Sequence, residues 1–115
     1  MITVIIATYN HGMFIKRAIK AILDQDLLIE RIIIINDASI DDTYEILEEY
    51  KLNNSRIKII HNKENLGMVN SFKIGLDYVE SEFFTFASAD DFLFPEWAKL
   101  SIEAMQKSPL AALCM

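Results

Sequence analysis

Two adjacent acidic residues directly follow a stretch that has the composition of a buried β-strand. Asp90 and Asp91 come two residues after the segment Phe83–Ala87, and Ser88 and Ala89 lie between. Such acids can simply keep a loop solvated or cap the next helix. Paired carboxylates can also ligate Mg²⁺ or Mn²⁺, which prefer hard oxygen ligands and bind phosphates at the same time. We therefore treat Asp90 and Asp91 as a candidate metal site beside a phosphorylated ligand.

Three more polar clusters stand in equivalent positions along the chain, each after a stretch rich in β-branched residues. Predicted strands cover residues 2–7, 31–35 and 56–61. The polar clusters that follow them are Thr8-Tyr9-Asn10, Asn36-Asp37-Ala38-Ser39 and the loop 62–67.

The segments between the strands have helical periodicity. Helices are predicted from Phe14, after the capping-box pattern at residues 39–42, and at the apolar stripe Val69, Phe72, Leu76 and Val79. Pro95 is expected as the first residue of a fourth helix, and residues 111–115 as the start of a fifth strand. This alternation predicts an α/β fold with a Rossmann-like, open, mainly parallel sheet. In such sheets, ligands bind at the carboxyl ends of the strands, where all four clusters fall.

The composition of the chain argues against several classes of function. The 115 residues suffice for one domain, and a net charge of −6 argues against a nucleic-acid partner. Cys114 is the only cysteine, which suits a reducing, cytoplasmic compartment. No signal segment or spanning run is visible. The glycines form neither a Walker loop nor a dinucleotide fingerprint, and His11 and His61 lack zinc-ligand spacing, so we expect surface or structural roles for both.

Four segments together resemble the family 2 glycosyltransferases of the GT-A fold: Thr3–Asn10, Ile33–Thr43, Asn65–Gly67 and Ser88–Asp91. Their order and spacing match the family over nearly the whole chain. The resemblance implies strand order 3-2-1-4, a nucleotide-sugar donor and transfer with inversion at the anomeric carbon. A UDP-sugar is the favoured donor, and the acceptor is a sugar or a lipid-linked sugar, which would bring the protein to the inner face of the membrane.

The resemblance also implies the residues of the site. Asp37 would meet the base, uracil in a UDP-sugar, while Asp90 and Asp91 would hold Mn²⁺ or Mg²⁺. The whole expected nucleotide-binding set is Ala7, Thr8, Tyr9, Asn10, Asp37, Asn65, Gly67, Lys73, Ala89 and Asp90.

The chain departs from the family pattern at several positions. Ser88 replaces the first acid of the D-x-D motif, Asn36 and Ala38 stand where Asp and Gly are common, and Phe72-Lys73 replace Arg-Asn. The family's catalytic domain is also longer, and its general base is expected beyond Met115. Residues 1–115 are therefore expected to form a single donor-binding half, truncated before the acceptor half, with a sheet edge open to homodimerisation.

Other interpretations stay open at this point. The chain can be a nucleotide-binding module without catalysis, or an inactive fragment. Asp37 can cap the helix near Ser39, Thr8 and Asn10 can end a strand and cap a helix, and Lys73 can be a solvated surface residue. A receiver-type signalling domain fits less well, because the first predicted strand is not followed by an acidic pair.

Overall fold

The computed structural model describes residues 1–25, 28–89 and 97–107. Strands and helices alternate along the chain, as the sequence predicts. The strands are β1 (Ile2–Thr8), β2 (Ile29–Asn36), β3 (Ile57–His61) and β4 (Phe83–Ser88). The helices are α1 (Gly12–Leu23), α2 (Thr43–Asn53), α3 (Met68–Leu76) and α4 (Trp97–Lys107).

The four strands form one sheet in the order β3-β2-β1-β4, and every neighbouring pair is parallel. At the centre of the sheet, Ile5 of β1 lies between Ile33 of β2 and Phe86 of β4. The predicted α/β fold and strand order are confirmed. Because the chain runs outward from β1 to β3 and then crosses back to β4, the strand order reverses beside β1.

Helices cover both faces of the sheet, and the side chains of β1 and β2 alternate between the two faces. Val4 and Ile6 belong to the larger core cluster, which includes apolar residues of α1, α2 and α4. Ile5 belongs to a smaller cluster under α3, with Ile33 and Ile35. The central strands are therefore buried on both sides, which explains their continuous apolar runs.

Helix α3 packs against the sheet through only part of the apolar stripe that the sequence predicts. Its buried residues are Ser71 and Gly75, whereas Val69 is 67% exposed and Leu76 is 37% exposed. A Cβ on Gly75 would lie 2.5 Å from Cγ2 of Ile5, so the absence of a side chain lets the helix lie close to β1. Of the predicted stripe, Phe72 and Val79 pack against the smaller core cluster, with Val79 just beyond the end of the helix, whereas Val69 and Leu76 are exposed.

Strand β4 is buried less completely than its composition predicts. Phe84 and Phe86 are 49% and 44% exposed, and Phe86 packs against Phe72 with ring centroids 4.5 Å apart. Over the ranges that the structure describes, β4 pairs with β1 alone. The predicted helix start at Pro95 and the predicted strand at 111–115 lie outside the described residues.

No helix within the described ranges has the length and apolar composition needed to cross a bilayer.

Candidate functional site

A pocket opens at the carboxyl ends of β1 and β2, where the strand order reverses. Its volume is about 60 Å³, so a ligand the size of a nucleotide would extend beyond it. The residues that line it are Ala7, Thr8, Tyr9, His11, Asp37 and Met68. Ala7, Thr8, Tyr9 and Asp37 belong to the set predicted from sequence, whereas His11 and Met68 do not. Two distant predicted clusters are thus brought together at the edge of the sheet where open α/β folds bind their ligands.

Asp37 is buried at the end of β2, and its carboxylate holds the loop that follows β3. Oδ1 accepts hydrogen bonds from the Leu66 amide at 2.8 Å and from Asn62 Nδ2 at 2.9 Å. Oδ2 accepts one from the Gly67 amide at 2.9 Å. The side chain therefore does not cap α2, which was one prediction from sequence. It ties β2 to the entry of α3, through residues that lie 25 to 30 positions further along the chain.

These contacts keep Asp37 ionised. Burial alone raises the pKa of this carboxyl, but the hydrogen bonds from Leu66, Asn62 and Gly67, with a contribution from the Ser71 hydroxyl, outweigh burial and hold the pKa below its usual range. A buried carboxylate that is this well solvated by amides stays charged at neutral pH.

Asn65 and Gly67 take part in the same loop. Asn65 Nδ2 donates to the Asp37 carbonyl at 3.3 Å, and Gly67 has a φ of 88° at the residue just before α3. That φ favours glycine, because a Cβ would strain the backbone there. Both predicted residues therefore anchor this loop, and neither lines the pocket.

Asn10 links the β1–α1 and β2–α2 loops. Its backbone amide donates to Ser39 Oγ at 3.0 Å, and its side-chain Oδ1 accepts from the Ile40 amide at 2.8 Å. The residue has a φ of 55°, a left-handed conformation that Asn tolerates better than most residues. Asn10 thus braces the pocket from outside it, and its side chain does not cap α1.

Asp41 joins the same two loops at the starts of both helices. Its Oδ2 accepts from the Gly12 amide at 3.1 Å, and its Oδ1 accepts from the Thr43 amide at 3.0 Å. Burial raises the pKa of Asp41, but hydrogen bonds from Thr43 and Gly12 lower it further than burial raises it. The capping box predicted at residues 39–42 does not form, because Asp42, at the N-cap of α2, makes no side-chain cap bond. The carboxylate of Asp41 instead accepts the hydrogen bond from the Thr43 amide at the start of α2.

Asn36 stands where the family often carries an acid, and here its side chain forms a hydrogen bond with His61. Its Oδ1 accepts from the Ser39 amide at 3.2 Å, so its Nδ2 faces His61 Nδ1 at 3.0 Å. His61 Nε2 then donates to Glu48 at 2.8 Å. This arrangement gives His61 a structural role.

Lys73 and Ala89, two further predicted residues, do not line the pocket. Lys73 is exposed on α3, and Ala89 is buried in the larger core cluster. Asp90 and Asp91 lie outside the described residues. Within the described ranges, no group of three or more His, Cys, Asp or Glu side chains is placed to hold a metal ion.

Comparison with known proteins identifies the family. The family model for glycosyl transferase family 2 matches residues 3–115. This chain belongs to glycosyltransferase family 2. An uncharacterized glycosyltransferase of Haemophilus influenzae is 38% identical over 108 residues, which cover 94% of this chain and 33% of that protein. A β-1,3-glucosyltransferase of Campylobacter jejuni that acts on GalNAc(5)-diNAcBac-PP-undecaprenol is 36% identical over 91 residues, covering 78% of this chain and 29% of that protein.

Solved structures confirm the GT-A architecture. S. aureus TarS, residues 1–349, superposes with a TM-score of 0.81 at 25% identity, covering 92% of this chain and 32% of TarS. The mannosyltransferase PcManGT from Pyrobaculum calidifontis, solved with GDP-Man and Mn²⁺, has a TM-score of 0.79 at 21% identity, covering 90% of this chain and 32% of its own. The latter likeness concerns the fold alone. This family 2 chain spans about a third of the length of these relatives.

Proposed function

We propose that this family 2 chain binds the nucleotide part of a nucleotide-sugar donor, with a UDP-sugar favoured, for transfer to a sugar or lipid-linked acceptor with inversion. The observation that carries the proposal is the pocket at the strand-order reversal, lined by Thr8, Tyr9 and Asp37 from two separate blocks of the family pattern. Nucleotides bind at this position in open α/β sheets. The likeness to TarS, which has been solved with UDP-GlcNAc and with UDP, supports this donor class.

Asp37 is the residue we assign to the base. Its Oδ2 accepts a hydrogen bond from the Gly67 amide and Asp37 lines the pocket, so we assign a base N–H to share that oxygen with Gly67. The ring of Tyr9, which is 43% exposed, offers a contact to ribose or base, and Thr8, which is only 1% exposed, lines the pocket beside it.

Asp90 and Asp91 are the residues we assign to the metal. The carboxylate of Asp37 already faces four hydrogen-bond donors of the protein, which makes it a poor candidate metal ligand. Mg²⁺ or Mn²⁺, when bound, would neutralise the diphosphate and stabilise it as a leaving group. The solved PcManGT complex contains Mn²⁺, which is consistent with this assignment.

The proposal divides the reaction between this chain and residues it does not contain. The described residues bind and orient the nucleotide, and a general base from further along a full-length enzyme would deprotonate the acceptor hydroxyl. We keep the cytoplasm as the proposed compartment, because a lone cysteine suits reducing surroundings. Homodimerisation through the sheet edge stays a prediction.

Calorimetric titration of UDP into the 115-residue chain, with and without Mn²⁺, tests the proposal. We expect binding that strengthens with Mn²⁺, and the metal dependence should be lost in Asp90→Asn. A matched control is Asp77→Asn, because Asp77 is exposed after α3, away from the pocket lining. At about 100 times the dissociation constant, ligand should add about 2.7 kcal/mol to the free energy of unfolding.

The outcomes separate the possibilities. A folded chain that binds no UDP, GDP or CDP contradicts the proposal. Binding of equal strength with and without Mn²⁺ contradicts the metal assignment alone. Release of UDP from a UDP-sugar distinguishes an enzyme from a module that only binds its nucleotide.

A further inference from the structure

His11 occupies a helix N-cap but does not behave as a capping residue. Its carbonyl accepts hydrogen bonds from the amides of Phe14 and Ile15 at the start of α1, while its side chain makes no cap bond. The ring instead turns back toward the end of β1, where it lines the pocket. Ser, Thr, Asp or Asn would be preferred for capping alone, so the ring position needs another explanation.

The contacts of His11 fix which ring nitrogen carries the proton. Nδ1 lies 3.4 Å from the Tyr9 amide, which can only donate, and 3.2 Å from Thr8 Oγ1, whose hydroxyl can also donate. Nδ1 must therefore be the acceptor, and the neutral ring carries its hydrogen on Nε2. Across residues 1–25, 28–89 and 97–107, no protein group accepts a hydrogen bond from Nε2.

We propose that His11 is a specificity-determining residue, which donates from Nε2–H to a carbonyl oxygen of the bound base. The inference rests on the proposed nucleotide function, in which Asp37 accepts the base N–H. Together the two side chains would present a donor and an acceptor to one edge of the base. The matching edge has an N–H beside a carbonyl, as in N3–H and O4 of uracil or N1–H and O6 of guanine.

Cytosine reverses this pattern, because its N3 is an acceptor and its position 4 carries an amino group. The cytosine edge would set a lone pair against Asp37 and an N–H against His11. Since one hydrogen bond contributes about 0.5–1.5 kcal/mol net, the His11 donor alone should favour the matching base by roughly 2- to 12-fold.

Titration of UDP, GDP and CDP into wild type and His11→Phe tests the proposal. Phenylalanine keeps an aromatic ring in place and removes the donor. We expect wild type to prefer UDP or GDP over CDP, and the preference to fall roughly 2- to 12-fold in His11→Phe, through weaker binding of the preferred nucleotide. His11→Gln, whose amide can donate, should restore part of the preference. His61→Phe is the matched control, because His61 does not line the pocket and should leave the preference unchanged.

An equal loss of affinity for all three nucleotides in His11→Phe would overturn the inference and leave the nucleotide proposal standing. If wild type binds none of them, both fall. Nitrogen-15 NMR of the histidine rings gives a second readout that needs no variant. We expect hydrogen on Nε2 of His11 at neutral pH, and hydrogen on Nδ1 would refute the proposed donor.

Discussion

The hydrogen bonds to Asp37 predict a large and specific effect of Asp37→Asn on stability. The substitution keeps the size of the side chain but leaves one oxygen where the carboxylate has two. The donors facing these oxygens are the Leu66 amide, Asn62 Nδ2 and the Gly67 amide, at 2.8, 2.9 and 2.9 Å. The oxygen of the new amide side chain should keep the Oδ1 position, which serves two donors. Its NH₂ group would then face the Gly67 amide, donor against donor.

The size of the expected loss of stability follows from these hydrogen bonds. A hydrogen bond to a charged group contributes about 1.5–3 kcal/mol, and leaving a buried donor unpaired costs about 1–3 kcal/mol. The lost Gly67 bond, together with two bonds weakened from charged to neutral, should lower the free energy of unfolding by about 2–4 kcal/mol. Domains of this size are stabilised by only about 5–15 kcal/mol in total. The variant should therefore unfold at a clearly lower urea concentration.

The pH dependence supplies an independent check. The pKa of Asp37 is lowered in the folded state, so its stabilising contribution is fully present above the ordinary aspartate pKa of about 3.9. That contribution is lost as the pH falls through the lower, folded-state pKa. Asp41 has a lowered pKa as well, and both proteins should lose stability in acid. The difference between wild type and Asp37→Asn isolates Asp37, and this difference should shrink below about pH 4.

Urea unfolding followed by circular dichroism, at neutral pH and at several acidic values, measures both effects. Asp77→Asn is the control for removing one exposed negative charge. A loss smaller than about 0.5 kcal/mol at neutral pH would place Asp37→Asn among ordinary surface changes and refute the assigned role. A difference that stays constant down to strongly acidic pH would refute the assigned ionisation.

Two further predictions concern the backbone around the site, and urea unfolding checks both. Gly75→Ala should destabilise by about 1–3 kcal/mol, because the new Cβ would lie 2.5 Å from Cγ2 of Ile5 in the packed core. Gly12→Ala should cost less, since the atoms obstructing it belong to movable aspartate side chains, and an equal cost would contradict this reasoning. Asn10→Ala should lose about 1–2 kcal/mol through the Ile40 hydrogen bond and the left-handed backbone. Asn10→Gly should recover the backbone part, and no recovery would locate the whole effect in the hydrogen bond.

Much of the fold could be predicted because the sequence pattern matches the local structure. Strands β1 and β2 contain the β-branched runs Ile2–Ile6 and Ile32–Ile35, which are typical of strands buried on both faces. The polar clusters directly after them mark one edge of a parallel sheet. These two features were enough to predict the strand alternation and to bring Thr8 and Asp37 into one site.

The contacts that shape the site could not be predicted in the same way. The partners of Asp37 lie 25 to 30 residues away, so no local pattern reveals that its carboxylate holds the loop before α3. The predicted packing of α3 was only partly right, for a related reason. Hydrophobic periodicity selects large apolar residues, whereas the helix approaches β1 through Ser71 and Gly75. The position of His11, directly after the polar cluster Thr8-Tyr9-Asn10, was the one sequence feature that placed it near the site. Only the structure shows that its ring lines the pocket.

Hydrogen bonds between loops hold the walls of the pocket in place. Asp37 fixes the loop before α3, while Asn10 and Asp41 join the loops after β1 and β2. The ordering of these loops is therefore supplied by protein contacts, and a ligand need not supply it. If Asp37 binds the base as proposed, it would have two tasks, because one carboxylate would both accept hydrogen bonds from the protein's own amides and receive the base N–H. Asp37→Asn should then weaken nucleotide binding by more than the loss of a single base contact, since the walls of the pocket loosen together with it.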